Sequence, residues 1–486
     1  MTSLTTKQYP MFIGNDACAA SNGAWIETIN PSTGTVIGSF PAGTRDDVNR
    51  AVEAAENAFL TWRDIEPTER AAMIGSLADI ISDHADELAA LDSMENGSLL
   101  AEMRRDVDAA LAHLRYFAGM ALHLRGETVP SGKGTLNYSL RQPFGVVGRI
   151  IPFNHPFMFA ASKIAAPLIA GNTVILKPSE YTSLSALRLA ELAREILPAG
   201  VLNVVTGLGK DVGDALVAHP RVQRLAFTGS VETGMAIQRR AAEVGIKSIS
   251  LELGGKNPLV IFPDADIEVA VNAAIRGMNF TWQGQSCGSL SRVVIHSTIY
   301  SEFVDLLSNR VASLHPGLPE ASDSDTGAIV NEPQLQKVLS YVQLGLSEGA
   351  HLRTGGDRIA DGDLGNGLFI RPAEIADVDP NSRLAQEEIF GPVLAAMRFS
   401  SEDEAISIAN NTRYGLTASV FTQNLATAHR FAERVEAGYV WVNEVSRHVP
   451  GTPYGGFKDS GLGREEEFDE LLSYTQVKSV HIKYSA

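Results

Sequence analysis

The chain has 486 residues, of which 44% are hydrophobic and 20% are charged. This composition is typical of a folded globular protein, and the length predicts two or three domains rather than one. The formal net charge of −17 and the absence of a basic stripe argue against nucleic-acid binding. The sequence contains two cysteines, Cys18 and Cys287, too few for a disulfide framework, so we expect a reducing compartment.

No segment of the sequence predicts export or membrane insertion. Residues 1–10 lack the basic stretch and following apolar run of a secretory signal. No run approaches the roughly 18 apolar residues that a membrane span requires. We therefore expect a soluble, cytoplasmic protein with no membrane partner.

Two amphipathic helices are predicted in the first third of the chain. Apolar residues recur at three- and four-residue spacing from Val48 to Phe59 and again from Ile74 to Ile81. Pro67 and Thr68 provide a plausible start for the second helix.

From about residue 145, short β-branched runs alternate with stretches of helical periodicity. The runs cover residues 145–153, 172–176, 201–205 and 224–227. Continuous apolar runs of this length, separated by helices, are what a parallel sheet with both faces covered requires. The sequence therefore predicts an α/β fold with a doubly wound parallel sheet in this region.

A second α/β series follows the Gly254-Gly255-Lys256 turn, with strands predicted at 259–261 and 292–296 and a helix at 300–314. Two further segments, 136–146 and 475–484, alternate polar and apolar residues and are predicted to be exposed strands. Because exposed edge strands readily pair with another chain, we expect a homo-oligomer.

Three residues carry candidate chemistry, and each also has a purely structural interpretation. Cys287 lies among small residues that leave room for a carbonyl carbon, but a free cysteine is also a common buried hydrophobe. Glu252 follows an apolar strand, where desolvation favours a general base, although a capping or ion-paired glutamate fits equally. Asn154 ends a predicted strand and could stabilise an oxyanion or serve as a turn residue.

Taken together, motifs along essentially the whole chain resemble those of the aldehyde dehydrogenase superfamily. The matching motifs, in the family's order, are Pro152-Phe153-Asn154, Lys177-Pro178-Ser179-Glu180, Phe227-Thr228-Gly229-Ser230, Leu251-Glu252-Leu253-Gly254-Gly255-Lys256, Gln285-Ser286-Cys287, Glu387-Glu388-Ile389-Phe390-Gly391-Pro392-Val393, Asn443 and Pro453-Tyr454-Gly455-Gly456-Phe457-Lys458.

The resemblance implies a domain organisation as well as a fold. It implies an NAD-binding domain of residues 1–123 and 145–253 and a catalytic domain of residues 254–458, each a doubly wound parallel sheet. A small β oligomerisation element would comprise residues 124–144 and 459–486, in a homodimer or homotetramer.

The same resemblance implies roles for individual residues. Cys287 matches the nucleophile, Glu252 the base that activates the hydrolytic water, Asn154 the oxyanion donor, and Glu465 a carboxylate implicated in proton relay, with Lys177 counted among the catalytic residues. The expected cofactor-binding residues are Ile151, Pro152, Phe153, Lys177, Ser179, Glu180, Gly229, Ser230, Gly234, Leu253, Glu388 and Phe390.

The expected substrate tunnel departs from the pattern of many family members. Its predicted lining is His155, Met158, Phe159, Ser162, Trp282, Ser286, Arg447, His448 and Tyr454. His155 and Ser162 stand where members that oxidise betaine aldehyde carry aromatic rings, which weakens a cation–π site. Arg447 and His448 could make the tunnel mouth positive, or both could face solvent or an adjacent subunit.

The predicted cofactor is NAD, although the usual Gly-x-Gly-x-x-Gly fingerprint is absent. Gly207-Leu208-Gly209 has its next glycine one residue too late and is interpreted as a loop. The segment from Gly229 to Gly234 could instead bind pyrophosphate at a helix N-terminus. Glu180 would accept hydrogen bonds from a ribose diol and repel a 2′-phosphate, which favours NAD over NADP. No metal site is predicted.

The sequence thus predicts NAD-dependent oxidation of a small-molecule aldehyde through a Cys287 thioester. One alternative is a CoA-acylating semialdehyde dehydrogenase, against which Glu252 argues because those relatives do not generally keep a carboxylate there. Another is a catalytically silent member with a structural or binding role, which would bind NAD without producing NADH.

Overall fold

In the computed structural model, which describes residues 7–484, the chain forms two mainly parallel sheets covered by helices, and a smaller antiparallel sheet. Residues 1–6 and 485–486 lie outside the described residues. The first group belongs to the segment without a predicted signal, and the second belongs to the predicted C-terminal element. The predicted α/β class with doubly wound sheets is confirmed.

The first half of the chain builds the first sheet, its helices and most of the small sheet. Its elements in chain order are β1 (Met11–Ile13), β2 (Asp16–Cys18), β3 (Trp25–Asn30), β4 (Thr35–Pro41), α1 (Arg45–Trp62), α2 (Pro67–Asp83), α3 (Ala85–Asn96), α4 (Leu100–Gly119), β5 (Thr128–Val129), β6 (Thr135–Pro143), β7 (Val146–Ile150), α5 (Pro156–Ile169), β8 (Thr173–Lys177), α6 (Leu184–Ala193), β9 (Leu202–Val204), α7 (Asp214–Val217), β10 (Val222–Thr228), α8 (Val231–Ala242) and β11 (Ser248–Glu252).

The second half builds the second sheet and returns to the first at its end. Its elements are β12 (Pro258–Ile261), α9 (Ile267–Gly277), β13 (Arg292–His296), α10 (Tyr300–Ala312), α11 (Glu332–Ser347), β14 (His351–Thr354), β15 (Ala373–Ala376), α12 (Arg383–Gln386), β16 (Val393–Phe399), α13 (Glu402–Asn410), β17 (Tyr414–Gly415), β18 (Thr417–Phe421), α14 (Leu425–Arg434), β19 (Tyr439–Val442), β20 (Phe457–Lys458), β21 (Gly461–Leu462), α15 (Phe468–Ser473) and β22 (Thr475–Lys483).

The predicted helices of the first third form as α1 and α2. Val48 and Val52 of α1 and Ile74 and Ile81 of α2 are fully buried, as their spacing requires. Thr44 caps α1 in a capping box with Asp47, and Pro67 occupies the first turn of α2, where its missing N–H costs nothing.

The first sheet has the strand order β2-β1-β9-β8-β7-β10-β11-β21. The strands from β9 to β11 are parallel, whereas β1 and β21 join antiparallel at the two sides. Because the central strands run in one direction, the residues that follow them meet at one edge of the sheet. That edge carries the loop after Ile150, the loop after Lys177, the turn after Thr228, and Glu252 itself.

The second sheet has the order β14-β15-β16-β13-β12-β18-β19, parallel throughout except for β14. The predicted helix at 300–314 forms over Tyr300–Ala312 and packs on this sheet. The Gly254-Gly255-Lys256 segment connects β11 to β12, so it passes from one sheet to the other.

The small sheet pairs the two segments predicted to be exposed strands. Thr135–Pro143 runs antiparallel to Thr475–Lys483 along its whole length, and β5 adds a short third strand. In the same C-terminal region, Gly461–Leu462 instead pairs with β11 of the first sheet. The chain therefore returns to the first sheet before it enters the small sheet.

The Gly207-Leu208-Gly209 segment is a loop leading into one wide helical turn and α7, as interpreted from its glycine spacing. Within residues 7–484, no helix combines the length and the hydrophobicity needed to cross a lipid bilayer.

Candidate active site

Cys287 lies in the loop between α9 and β13, half-buried and held in place by its neighbours. The Asn257 side chain donates from Nδ2 to the backbone oxygens of Cys287 and Ser289, at 2.7 and 2.9 Å. The hydroxyl of Tyr454 lies 3.8 Å from the Cys287 sulfur. Burial raises the pKa of the Cys287 thiol to about 12, so the resting side chain is a neutral thiol.

Two cavities meet at this sulfur. The first has a volume of about 160 Å³, and Asn154, Glu252 and Cys287 all line it. The second has a volume of about 280 Å³. Cys287 and Phe159 line both cavities. Because Cys287 is half-buried and borders two cavities, it is not a cysteine sealed in an apolar core.

Asn154 follows β7 and precedes α5, with only 4% of its surface exposed. No group of residues 7–484 hydrogen-bonds its side-chain amide, whereas its backbone oxygen accepts from Asn96 Nδ2 at 3.3 Å. At the start of α5, the Phe157 N–H donates to Asp92 at 2.8 Å. Side chains of α3 thus fix the backbone around Asn154 and leave its carboxamide free to face the first cavity.

Glu252 is the last residue of β11, and both of its carboxylate oxygens are buried without a hydrogen-bond partner among residues 7–484. Burial, reinforced by the negative charge of Glu465, raises its pKa well above the usual carboxyl range. Gly455 packs against this carboxylate with a φ of +153°, and a side chain there would collide with Glu252 Oε1. The desolvated carboxylate predicted from the sequence is present.

Glu465 differs from Glu252 because two buried cations hold it. Arg149 Nη1 and Lys163 Nζ each lie 2.7 Å from its carboxylate. Burial alone would raise the pKa of Glu465, but the two cations outweigh that effect and lower it to about 2. Glu465 therefore stays ionised near neutral pH, and the proton-relay role that the resemblance implies stays a prediction.

Residues of the first cavity form a surface suited to a dinucleotide. The predicted residues that line it are Pro152, Phe153, Gly229, Ser230, Leu253, Glu388 and Phe390. Ser230 caps α8, so the free N–H groups of that helix point to the cavity end. A side chain on Gly254 would overlap the Glu388 carboxylate, which accepts a hydrogen bond from Gly255 N at 3.0 Å.

Five predicted cofactor residues do not line this cavity: Ile151, Lys177, Ser179, Glu180 and Gly234. Lys177 ends β8 and pairs with Glu180 at 3.1 Å, at the same edge of the sheet but outside both cavities that reach Cys287. This placement gives no support to Lys177 as a catalytic residue. Gly234 lies against Leu253, where it allows α8 to pack closely on the end of β11.

The second cavity has the lining expected of a substrate tunnel, with two exceptions. His155, Met158, Phe159, Trp282, Ser286, His448 and Tyr454 all line it. Arg447 does not, because its side chain is exposed; its backbone oxygen accepts from Trp441 Nε1 at 2.9 Å and from the Tyr439 hydroxyl at 3.3 Å. Ser162 is buried on α5 and does not line this cavity. Of the two alternatives for Arg447, its exposure favours a side chain that faces solvent.

Sequence reasoning missed several residues of the site. The tunnel also contains Arg105, Asp106, Ala109, His113, Asn279, Gly288, Trp441, Ser446 and Glu466, and the first cavity contains Thr228, Gln334 and Lys337. Arg105 to His113 belong to α4, whose helical pattern gives no hint that it crosses the tunnel. Arg149 and Lys163 could have been noticed, since each is a cation inside an otherwise apolar run.

Comparisons with known proteins agree with this geometry. The aldehyde dehydrogenase family model matches residues 18–480. Aldehyde dehydrogenase tropH of Talaromyces stipitatus is 46% identical over 463 residues, covering 94% of this chain and 90% of the relative.

Solved structures show the same similarity. An aldehyde dehydrogenase from Bacillus cereus, in its NAD+ complex, has a TM-score of 0.95 and 39% identity, covering 99% of this chain and 97% of that one. Betaine aldehyde dehydrogenase from Staphylococcus aureus, also with NAD+, has a TM-score of 0.96 and 35% identity, covering 98% and 95%. With a cysteine, a buried carboxylate and a free carboxamide on one cavity, this chain belongs to the aldehyde dehydrogenase family.

Proposed function

We propose that this protein oxidises an aldehyde to the carboxylic acid with NAD, through a thioester on Cys287 that water hydrolyses. The observation that carries the proposal is the position of Cys287 at the junction of the two cavities. The first cavity has the helix N-terminus and glutamate of a nucleotide site, and the second has the aromatic walls of a substrate tunnel. A carbonyl carbon at the sulfur would be within reach of both.

The first half of the reaction joins the aldehyde to Cys287. The thiol passes its proton to water as the sulfur attacks the carbonyl carbon, which forms a C–S bond, breaks the C=O π bond and moves negative charge onto the carbonyl oxygen. The free carboxamide of Asn154 and the Cys287 backbone N–H are the donors available to that oxygen. When bound, NAD is the oxidant that accepts the hydride from this carbon, and a thioester remains on the sulfur.

Glu252 would act in the second half. Its raised pKa makes it a stronger base than an ordinary carboxylate once it has lost its proton. Both of its oxygens are buried at rest, so we expect the side chain to rotate toward the thioester. There it would take a proton from water, whose oxygen displaces the sulfur and releases the acid.

Dinucleotide binding fits the first cavity on its own chemistry. Ser230 and the start of α8 would hold the pyrophosphate, and Glu388 with Phe390 would position the nicotinamide end. The ring centroids of Phe390 and Phe153 are 5.7 Å apart in an edge-to-face contact. This contact keeps both rings in place at the cavity wall. Glu180, paired with Lys177, would accept hydrogen bonds from a ribose diol and disfavour NADP.

Rapid-mixing kinetics with NAD and benzaldehyde tests the two halves separately. In Glu252→Gln we expect a burst of NADH close to one equivalent per active site, followed by turnover slowed by about 10²-fold, since only the hydrolytic step loses its base. In Cys287→Ser we expect no burst. A Glu252→Gln enzyme that turns over at the wild-type rate would overturn the role of Glu252.

Two alternatives predict different products. A CoA-acylating enzyme would release an acyl-CoA when CoA is supplied, whereas we expect the free acid with or without CoA. A catalytically silent member would bind NAD, give no NADH with aliphatic or aromatic aldehydes, and leave Cys287 unmodified by iodoacetamide. The accessible sulfur and the desolvated Glu252 carboxylate favour the hydrolytic enzyme over both.

A further inference from the structure

The substrate tunnel contains a buried carboxylate–imidazole pair that the proposed reaction does not use. Asp106 of α4 and His155, just before α5, are 4% and 9% exposed. Asp106 Oδ2 lies 2.8 Å from His155 Nδ1. Both residues line the second cavity together with Cys287.

This contact orients the imidazole ring and selects its tautomer. A carboxylate can only accept a hydrogen bond, so the neutral ring carries its proton on Nδ1 and donates it to Asp106. The other nitrogen, Nε2, then presents a lone pair, and no group within residues 7–484 hydrogen-bonds it. In this tautomer, His155 offers a hydrogen-bond acceptor in the wall of the second cavity.

Aromatic groups surround this acceptor. The His155 ring centroid lies 5.4 Å from that of Trp282 and 5.6 Å from that of Phe159. Met158, Trp441 and Tyr454 complete the apolar walls of the same cavity. Flat rings of this kind favour a planar, conjugated ligand over a bulky aliphatic one.

The charges in the tunnel disfavour a cationic ligand. Asp106 is engaged by His155, and Glu466 lies 3.3 Å from His448 Nδ1 and 3.9 Å from His113 Nε2. Each carboxylate of the lining thus already has an imidazole partner, which leaves neither free to bind an ammonium group. Arg105 adds a positive charge, paired with Glu102.

We propose that the Asp106–His155 pair selects aromatic aldehydes that carry a phenolic hydroxyl group. The hydroxyl donates to His155 Nε2, the aromatic walls hold the ring, and the carbonyl reaches Cys287. His155 is a specificity-determining residue, and Asp106 is the positioning residue that holds its tautomer. This substrate class rests on the proposed aldehyde oxidation at Cys287.

The test compares the three hydroxybenzaldehydes with their methoxy counterparts and with benzaldehyde, all with NAD. We expect at least one hydroxy isomer to exceed both its methoxy counterpart and benzaldehyde in kcat/KM by about tenfold, since the methoxy group cannot donate a hydrogen bond. In His155→Phe, which keeps an aromatic ring, this ratio should fall to about one. In Asp106→Asn, whose amide no longer dictates the tautomer, the ratio should fall by about threefold or more.

Asp108→Asn is the matched control, because Asp108 lies on the same helix but is exposed and pairs with Arg104. The hydroxy preference of that variant should equal the wild-type value. Ratios of kcat/KM cancel any general loss of activity, and the wild-type comparison needs no variant to fold. Oxidation of benzaldehyde without any hydroxy preference would overturn the substrate class alone, whereas no oxidation of any aldehyde would overturn the proposed function as well.

Discussion

At the scale of single residues, burial and neighbouring charges shift the pKa values of the groups at the proposed site. Burial raises the pKa values of both Cys287 and Glu252, because it disfavours their charged forms. Glu465, buried equally deeply, stays ionised because Arg149 and Lys163 surround it. Two carboxylates that look alike in the sequence therefore have pKa values shifted in opposite directions.

The free carboxamide of Asn154 leads to a prediction about rate. Asn154→Ala should lower kcat by ~10²–10³-fold, because one oxyanion donor is lost. Binding of NAD, followed by quenching of tryptophan fluorescence, should change little, since the dinucleotide surface is formed by other side chains. A variant with kcat within threefold of wild type would remove Asn154 from the proposed oxyanion site.

The cations around Glu465 lead to a prediction about stability. Glu465→Gln leaves Arg149 and Lys163 buried without their carboxylate, so the free energy of unfolding at pH 7 should fall by about 3–5 kcal/mol. Glu465 has a lower pKa in the folded protein than in the unfolded chain. Its contribution to the free energy of unfolding is therefore complete above the unfolded-state pKa near 4.5 and is lost as the pH falls toward 2.

Urea unfolding at several pH values measures this effect. The difference between wild type and Glu465→Gln should be constant from pH 7 to about pH 5 and should narrow below about 4.5. A difference that widened as the pH fell would contradict the assigned sign. Glu320→Gln, at an exposed position, is the control and should follow the wild-type curve.

At the scale of elements, the end of one helix supports the start of another. The start of α5 carries the site residues Asn154 and His155, and α3 reaches it through Asp92 and Asn96. Burial raises the pKa of Asp92 to about 7, so this carboxyl is easily neutralised, yet its oxygen still accepts from the Phe157 N–H. An acceptor oxygen, rather than a full charge, is what this helix start requires.

The hydrogen bond from the Phe157 N–H to Asp92 predicts different stabilities for two substitutions of Asp92. Asp92→Asn keeps an acceptor oxygen and should unfold close to wild type, whereas Asp92→Ala leaves the Phe157 N–H unpaired and should lose about 1–3 kcal/mol. The alanine variant should also lose kcat, because Asn154 is less firmly placed. Equal urea midpoints and equal kcat values for the two variants would exclude the capping role.

At the scale of the whole molecule, distant parts of the chain converge on the site. Helix α4, in the first third of the chain, forms a wall of the second cavity. Near the C-terminus, Glu466 lines the same cavity and Glu465 pairs with Arg149. The small sheet extends from this C-terminal region, and one of its faces is mainly apolar. Leu136, Leu140 and Ile482 share that face and are each exposed by about two fifths, and Lys478 lies opposite Leu140 on the same face. Ser139 and Ser479 lie on the opposite face.

The apolar face predicts contact with a second copy of the chain. Leu136→Lys combined with Ile482→Lys should shift the mass measured by light scattering from an oligomer toward the monomer, since charges oppose burial of that face. Ser479→Lys places a charge on the polar face and should leave the mass unchanged. A wild-type protein that is already monomeric would contradict the predicted homodimer or homotetramer.

Much of the fold could be predicted because it depends on local periodicity. The spacing of Val48 and Val52 specifies a buried helical face, and the apolar runs before Asn154 and Glu252 specify parallel strands whose ends carry chemistry. The motifs around Cys287, Glu252 and Asn154 likewise identified residues that share one cavity.

What tertiary structure decided is which side chains meet across long sequence separations. Asp106 reaches His155, and Lys163 reaches Glu465, only because helices packed on the sheet bring them together. Arg447 is exposed and does not line the second cavity, whereas residues of α4 do. Sequence periodicity determines the face that a residue occupies, but the partner of a buried charge, and hence its pKa, depends on packing between elements that no local pattern records.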